Sequence, residues 1–201
     1  MNNRVPSILD AVNIEHAMEF SYSGHHVDGI DYLCLLRSKY LTFKVYFFDK
    51  GCDGSVVILH THRYDFDTTV LYGSLEENRY SITYKCSTNA TEYNYNTPLD
   101  GGDGFTRGPD TFLHKVGTTR YMPGQTYSNK AHKDIHTLQN VDKGTIILLT
   151  QYADVGLPTT KAWLPLGASV PSTEGMYRKM DRKAVLDRLE HLECILGFDG
   201  G

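Results

Sequence analysis

Two stretches of this chain set histidines beside strand-forming residues and bracket them with glycine. The first runs Gly54, five residues, His60-Thr61-His62, three residues, Phe66, six residues, Gly73. The second runs Gly117, five residues, Pro123-Gly124, and then, further on, His136, three residues, Asn140. Alternate side chains of an extended strand share a face. The spacing therefore predicts His60, His62, Tyr64 and Phe66 on one face and Thr61, Arg63 and Asp65 on the other. A pair of imidazoles on one strand face can hold a single ion, and an antiparallel barrel can bring a third ligand from a distant strand. His136, between Ile135 and Thr137-Leu138, stands where such a strand begins. Three facial ligands leave coordination positions open for substrate and for dioxygen or water.

The surrounding pattern is β-rich. Short runs of β-branched and aromatic residues at 32–36, 41–47, 56–60, 66–71, 79–84, 112–116, 119–122 and 145–152 predict strands. Turn clusters separate them: Asp49-Lys50-Gly51, Asp53-Gly54, Tyr72-Gly73-Ser74, and a polar loop over 97–104. Pro6, Ser7 as cap and Asp10 at the capping-box position open a short helix. The chain's long helix is expected over about 176–197, with Asp181 as a cap, a stripe of Val185, Leu189, Leu192 and Leu196, and Gly197 at its end. Many short strands with helices at both ends predict an all-β barrel or sandwich. One domain is expected over 1–201, its barrel core at about 30–170.

Composition narrows the function. A chain of 201 residues, 40% hydrophobic, suits one domain with a substantial core. Twenty basic side chains against 24 acidic ones, without a basic run, give no expectation of a nucleic-acid surface. No apolar run approaches the roughly 20 residues that cross a bilayer, and the first residues lack a signal peptide's apolar core, so a cytoplasmic location is expected. The four cysteines lack CxxC spacing, which reads as reduced thiols. No G-x-S-x-G elbow, phosphate-binding loop or dinucleotide fingerprint is present.

The glycine and histidine segments resemble the two motifs of the cupin superfamily, G-x5-H-x-H-x3/4-E-x6-G and G-x5-P-x-G-x2-H-x3-N. Gly54, His60, His62 and Gly73 fall on the first; Gly117, Pro123, His136 and Asn140 fall on parts of the second. The matching stretch, 54–152, is about half of the chain. The resemblance implies a cupin, or jelly-roll double-stranded β-helix, barrel that is all-β apart from the short N-terminal and longer C-terminal helices. It also implies a divalent metal on His60, His62 and His136. The motif glycines are expected at turns, where positive φ is needed.

The chain departs from the family pattern twice. Phe66 occupies the position of the motif's Glu, and Asp65 and Asp67 beside it point away from the histidines unless a bulge intervenes. The interval from Pro123-Gly124 to His136 is longer than the motif's. An extended turn holding Tyr127 and His132 is therefore expected, and His132 rivals His136 as third ligand; Asn140, at the motif spacing, favours His136.

Without the Glu, three neutral imidazoles leave a divalent ion its full charge, which favours an anionic ligand such as a thiolate, carboxylate or enolate. Such a set looks like that of the thiol dioxygenases, which use Fe(II) to oxidise a small thiol to a sulfinate. Those enzymes carry a Tyr some sixteen residues after the third His, and Tyr152 stands there; Thr150 replaces their His two residues earlier. No motif marks a carboxylate-binding Arg, and Arg79, Arg107 and Arg120 are the candidates. The expected site thus has Phe66, Arg79, Arg120 and Tyr127 around a small-molecule substrate, with Tyr152 or Tyr64 steering oxygen or a proton. An Fe(II) dioxygenase of an anionic or thiol substrate leads. A cupin isomerase, epimerase or lyase using Zn, Mn or Ni is the alternative, and a non-enzymatic ligand-binding barrel the third reading. A homodimer through an exposed strand or the C-terminal helix is compatible with all three.

Overall fold

A computed structural model describes residues 8–25, 28–55, 57–83, 87–156, 159–172 and 177–197. The helix start at Pro6-Ser7, together with Val56, Tyr84 and Met176 from the expected elements, lies outside the described residues. In chain order the elements begin with helices α1 (Ile8–Ala11) and α2 (Ile14–Phe20) and strands β1 (Tyr22–Ser23), β2 (Ile30–Arg37), β3 (Leu41–Phe48) and β4 (Cys52–Ser55). Strands β5 (Leu59–His60), β6 (Tyr64–Tyr72), β7 (Leu75–Thr83), β8 (Ala90–Asn96) and β9 (Gly104–Tyr121) follow. The chain continues through β10 (Thr126–Asn129), β11 (Ile135–Val141), β12 (Thr145–Asp154), β13 (Thr160–Pro165), β14 (Arg178–Lys179) and helix α3 (Arg182–Leu196).

The strands make two antiparallel seven-stranded sheets, ordered β10-β6-β12-β3-β2-β1-β14 and β4-β11-β5-β13-β8-β9-β7, with β11 also paired to β7. In the second sheet the pairing therefore runs from β11 through β7, β9, β8, β13 and β5 back to β11. The fold is mostly β, with a short N-terminal and a longer C-terminal helix, as the sequence led one to expect.

The first sheet buries apolar residues on both faces, which explains the hydrophobic runs of β3 and β12. Leu33, Val45, Phe47 and Ile146 turn outward and are buried under Ala17 of α2 and Val185, Leu189 and Leu192 of α3. Alternate residues Phe48, Phe66, Val70, Ile147 and Leu149 turn inward. Three of the four residues in the α3 stripe are buried, at about 1.5–3 kcal/mol each by area. Leu196, the fourth, is exposed. The helix starts at Arg182, six residues later than 176, because Asp181 caps it by accepting from Ala184 N at 2.8 Å and the preceding residues pair as β14 with β1. Gly197 ends it in the left-handed conformation. Among the described residues no helix is long and apolar enough to cross a membrane.

Two expectations need correction. Gly117 is not a turn: it lies inside β9, which joins the strands expected at 112–116 and 119–122 into one. Arg79 pairs with Gly117 and Tyr80 with Lys115, so Val116 is an extra residue and the glycine marks a bulge. The polar loop over 97–104 contains a 3-10 turn, Pro98–Asp100, capped by Thr97. Gly73 does behave as expected: its φ is 73° and an added Cβ would collide with Thr145.

Candidate metal centre

His60 and His136 are direct cross-strand partners on β5 and β11. After His60 the chain leaves that sheet, passes through Thr61-His62-Arg63 and enters the other at Tyr64. The single strand expected from His60 to Phe66 is therefore broken at the crossing. Thr61 is held to β13, donating its N–H to Lys161 O at 2.8 Å and accepting from Lys161 N at 3.0 Å. His62 O accepts from His132 N at 2.8 Å. These anchors keep the two rings together although the strand is interrupted. Ring centroids are 4.6 Å apart for His60–His62, 5.0 Å for His60–His136 and 5.2 Å for His62–His136. One nitrogen from each ring lies within 4.8 Å of the others, and His62 Nε2 is 3.0 Å from His136 Nε2.

The outer nitrogens are orientated. His60 Nδ1 lies 2.8 Å from Ile58 O, and a carbonyl can only accept, so Nδ1 carries the proton and Nε2 the lone pair. His136 Nδ1 lies 3.0 Å from Glu77 Oε1, which fixes the same tautomer. Glu77 is only 1% exposed and also accepts from Asn129 Nδ2 at 2.8 Å and Arg79 Nε at 2.9 Å. Burial pushes the Glu77 carboxyl up, but the hydrogen bonds from His136, Asn129 and Arg79 outweigh it and hold the group below the usual carboxylate range. A carboxylate behind a histidine is the arrangement that aims an imidazole at a metal and raises its basicity. At metal–nitrogen lengths of about 2.0–2.1 Å, three converging imidazoles fit one ion. Sequence inspection missed Glu77. It adjoins Glu76 in one strand, and nothing local shows which of the two faces inward.

The other expected residues divide. Phe66, 2% exposed, packs its ring 4.5 Å from that of His62 and 5.8 Å from that of His136, so an apolar ring fills the space of the motif's Glu. Tyr64 lies beside His62 at 5.3 Å. Tyr127 is buried at the same cavity, stacked 4.5 Å from Tyr121, and burial raises its phenol far above the ordinary value. Arg79 is behind the histidines on Glu77 and on Ser128 O, not on the cavity wall. Arg120 is elsewhere, pairing with Asp142 at 3.2 Å, and Arg107 pairs with Asp110 at 2.8 Å. His132 turns away, its Nε2 3.0 Å from Val155 O, so His136 completes the cluster. Asp65 accepts from Lys130 Nζ and Ala131 N, both at 2.8 Å, and neither it nor Asp67 reaches the histidines.

Tyr152 is 43% exposed and its hydroxyl donates to Asp67 Oδ2 at 2.6 Å, on the face away from the histidines. Its neighbour Gln151 lines the cavity instead. Asn140 has a scaffold role: its Oδ1 accepts from Gly54 N at 3.1 Å and its Nδ2 donates to Glu76 at 2.8 Å, tying two motif positions together.

The histidines open into a cavity of about 790 Å³ between the sheets. Its far wall is aromatic, and His25 is half-buried there among Tyr22, Tyr32, Tyr46 and Tyr177.

No family model and no curated protein matches the sequence. Among solved structures, an uncharacterised protein with a double-stranded β-helix domain from Klebsiella pneumoniae is similar at 15% identity, over 80% of this chain and 98% of that one, with a TM-score of 0.38. An RmlC-like cupin from Shewanella frigidimarina is similar at 17% identity, over 69% and 87%, with a TM-score of 0.37. The DMSP lyase DddQ from Ruegeria pomeroyi is similar at 14% identity over 66% of this chain, with a TM-score of 0.38, and the match spans about half (51%) of the lyase. At these scores the likeness assigns no activity to this chain.

Proposed function

We propose that the chain is a mononuclear metal-dependent enzyme, an Fe(II) dioxygenase acting on a small anionic substrate, with His60, His62 and His136 as the metal ligands. The observation that carries this reading is the convergence of three ring nitrogens within 4.8 Å at a large cavity, with Glu77 behind His136. Bound there, iron would supply a Lewis acid and a one-electron donor toward dioxygen. The protein supplies the rest. Ile58 O and Glu77 fix the tautomers of His60 and His136 so that both present Nε2. Phe66 takes the place of a fourth protein ligand, keeping a face of the site open to substrate and preserving the positive charge that attracts an anion. Tyr64, beside His62, holds its hydroxyl where it can donate to a substrate oxygen.

A second reading is favoured by one contact: Lys44 Nζ lies 3.5 Å from Tyr64 OH, which puts a proton-donating pair inside the cavity. Such a pair suits an oxygen-independent isomerase or lyase on Zn, Mn or Ni, in which the tyrosine moves the substrate proton.

Elemental analysis of protein purified without added metal tests both. Near-stoichiometric iron, lost in His60→Ala and in His136→Ala, is expected, together with substrate-dependent oxygen uptake. Zinc, manganese or nickel with turnover under argon would select the second reading. Protein that holds no metal even after reconstitution would overturn both.

A further inference from the structure

The geometry points to an aromatic carboxylate as the molecule that fills the cavity, its anion on Lys44 and its ring on the Tyr32–Tyr46 wall; this deepens, and rests on, the metal-centre reading. A volume of about 790 Å³ lies well inside the range of roughly 300–1,000 Å³ that holds drug-sized ligands, and exceeds what a two- or three-carbon compound fills. The wall opposite the histidines is built of flat rings. Tyr32 and Tyr46 stack at 5.3 Å with 16° between their planes, and Tyr22 continues the stack at 5.7 Å. Burial raises the phenols of Tyr32 and Tyr46 well above the ordinary value, so the wall stays neutral. A neutral, layered aromatic surface favours a planar body.

Charge locates the anion. Among the described residues, four cations line the cavity, Arg37, Lys44, Arg63 and Lys179, against one carboxylate, that of Glu19. Three of the cations have evident company. Arg63 pairs with Asp154 at 2.9 Å, Lys179 donates to Tyr22 OH and Glu19 O, and Arg37 is exposed over the Phe20 ring. Lys44 differs. It is half-buried on β3, with its Nζ 5.3 Å from the Tyr32 ring centre, 5.0 Å from that of Tyr64 and 3.5 Å from the Tyr64 hydroxyl. Among the described residues no carboxylate pairs with it. Ring faces compensate a partly desolvated ammonium only in part, about 0.5–2 kcal/mol, and an anion completes the site. One ammonium with one phenol matches the single charge of a carboxylate monoanion. Tyr64 touches both Lys44 and His62, so a molecule anchored at Lys44 reaches the three nitrogens with its other end.

Calorimetric titration of the metal-loaded protein with benzoate, benzamide and acetate tests this. Benzoate is expected to bind at least tenfold more tightly than its uncharged or ringless counterpart, about 1.4 kcal/mol. Lys44→Met should bring benzoate down to the benzamide level and Lys44→Arg should restore most of the difference, with metal content unchanged in both; Lys44→Gln serves if the methionine variant does not fold. Benzoate binding that survives the loss of Lys44 but vanishes on chelation would put the carboxylate on the metal, overturning the Lys44 assignment and leaving the metal centre standing. Lys44-dependent binding in a protein that takes up no metal would do the reverse. No heat from benzoate at millimolar concentration, or equal binding of all three probes, would overturn the inference.

Discussion

On β3, Val45 and Phe47 turn toward α3, whereas Lys44, Tyr46 and Phe48 turn toward the cavity. The same alternation on β12 sends Ile146 to the helices and Ile147, Leu149 and Gln151 to the cavity. One face is sealed: Leu33, Val45, Phe47, Val185 and Leu189 have no exposed surface. The other carries a cation, phenols and an amide around open volume. A close-packed face stabilises, and an under-filled polar face recognises. A single strand thus serves both jobs at successive residues, and substitutions one position apart should separate them.

The largest effect is expected on the sealed face. Phe47→Ala removes a fully buried ring and leaves a cavity under α3, which should cost about 3–5 kcal/mol in chemical denaturation while the folded protein keeps its metal content. Loss of metal at full occupancy of the folded state would mean that the two faces are not separable. On the cavity side, Glu77→Gln keeps the shape but weakens the acceptor behind His136. A fall of about 10–100-fold in metal affinity is expected, read by competition against a chelator. Unchanged affinity would reduce Glu77 to a packing role.

Glu77 also gives the cavity side a pH signature. Burial raises its carboxyl, the bonds from His136 and Asn129 more than reverse this, and the folded group ends below its ordinary 4.5. A depressed folded value stabilises the protein above the ordinary one, and that stabilisation is lost as pH falls through the folded value. Melting curves of metal-free protein should therefore drop as the pH falls below the ordinary carboxylate value of 4.5, with a shallower drop in Glu77→Gln. Parallel curves would show that other carboxylates set the slope.

Much of this division was legible in the sequence. The apolar runs and the α3 stripe carried the β fold and the C-terminal helix, because period and turn chemistry are local signals, whereas the expectation that His60, His62 and His136 converge came from the resemblance to the cupin motifs. Strands β8 and β13 were not seen. Thr91, Glu92, Asn94 and Lys161 break their apolar pattern, and only the partners across the sheet explain them, such as Lys161 on Glu92 at 2.7 Å. Glu77, Lys44 and Gln151 were missed for a related reason. A lone polar residue in a strand carries no mark of which face it takes, and a bulge or a crossing resets the alternation. Gly117 shows the limit from the other side: a glycine expected at a turn lies instead at a bulge within β9.

The smallest expected effect falls on the residue that spacing alone made most attractive. Tyr152 follows His136 at the interval expected of an oxygen-steering tyrosine, yet its hydroxyl serves Asp67 at 2.6 Å on an exposed face while Gln151 takes the inward place. A polar bond at such an exposed surface contributes little to stability. Tyr152→Phe should therefore lower stability only slightly and leave metal content and oxygen uptake unchanged. Gln151→Ala, one residue earlier, should alter the apparent substrate affinity with the metal still bound. A collapse of turnover in Tyr152→Phe alone would require β12 to present Tyr152 inward during the reaction, and with it a shift of register against Phe66 and Asp67, its present partners across the sheet being Thr150–Asp67 and Gln151–Phe66.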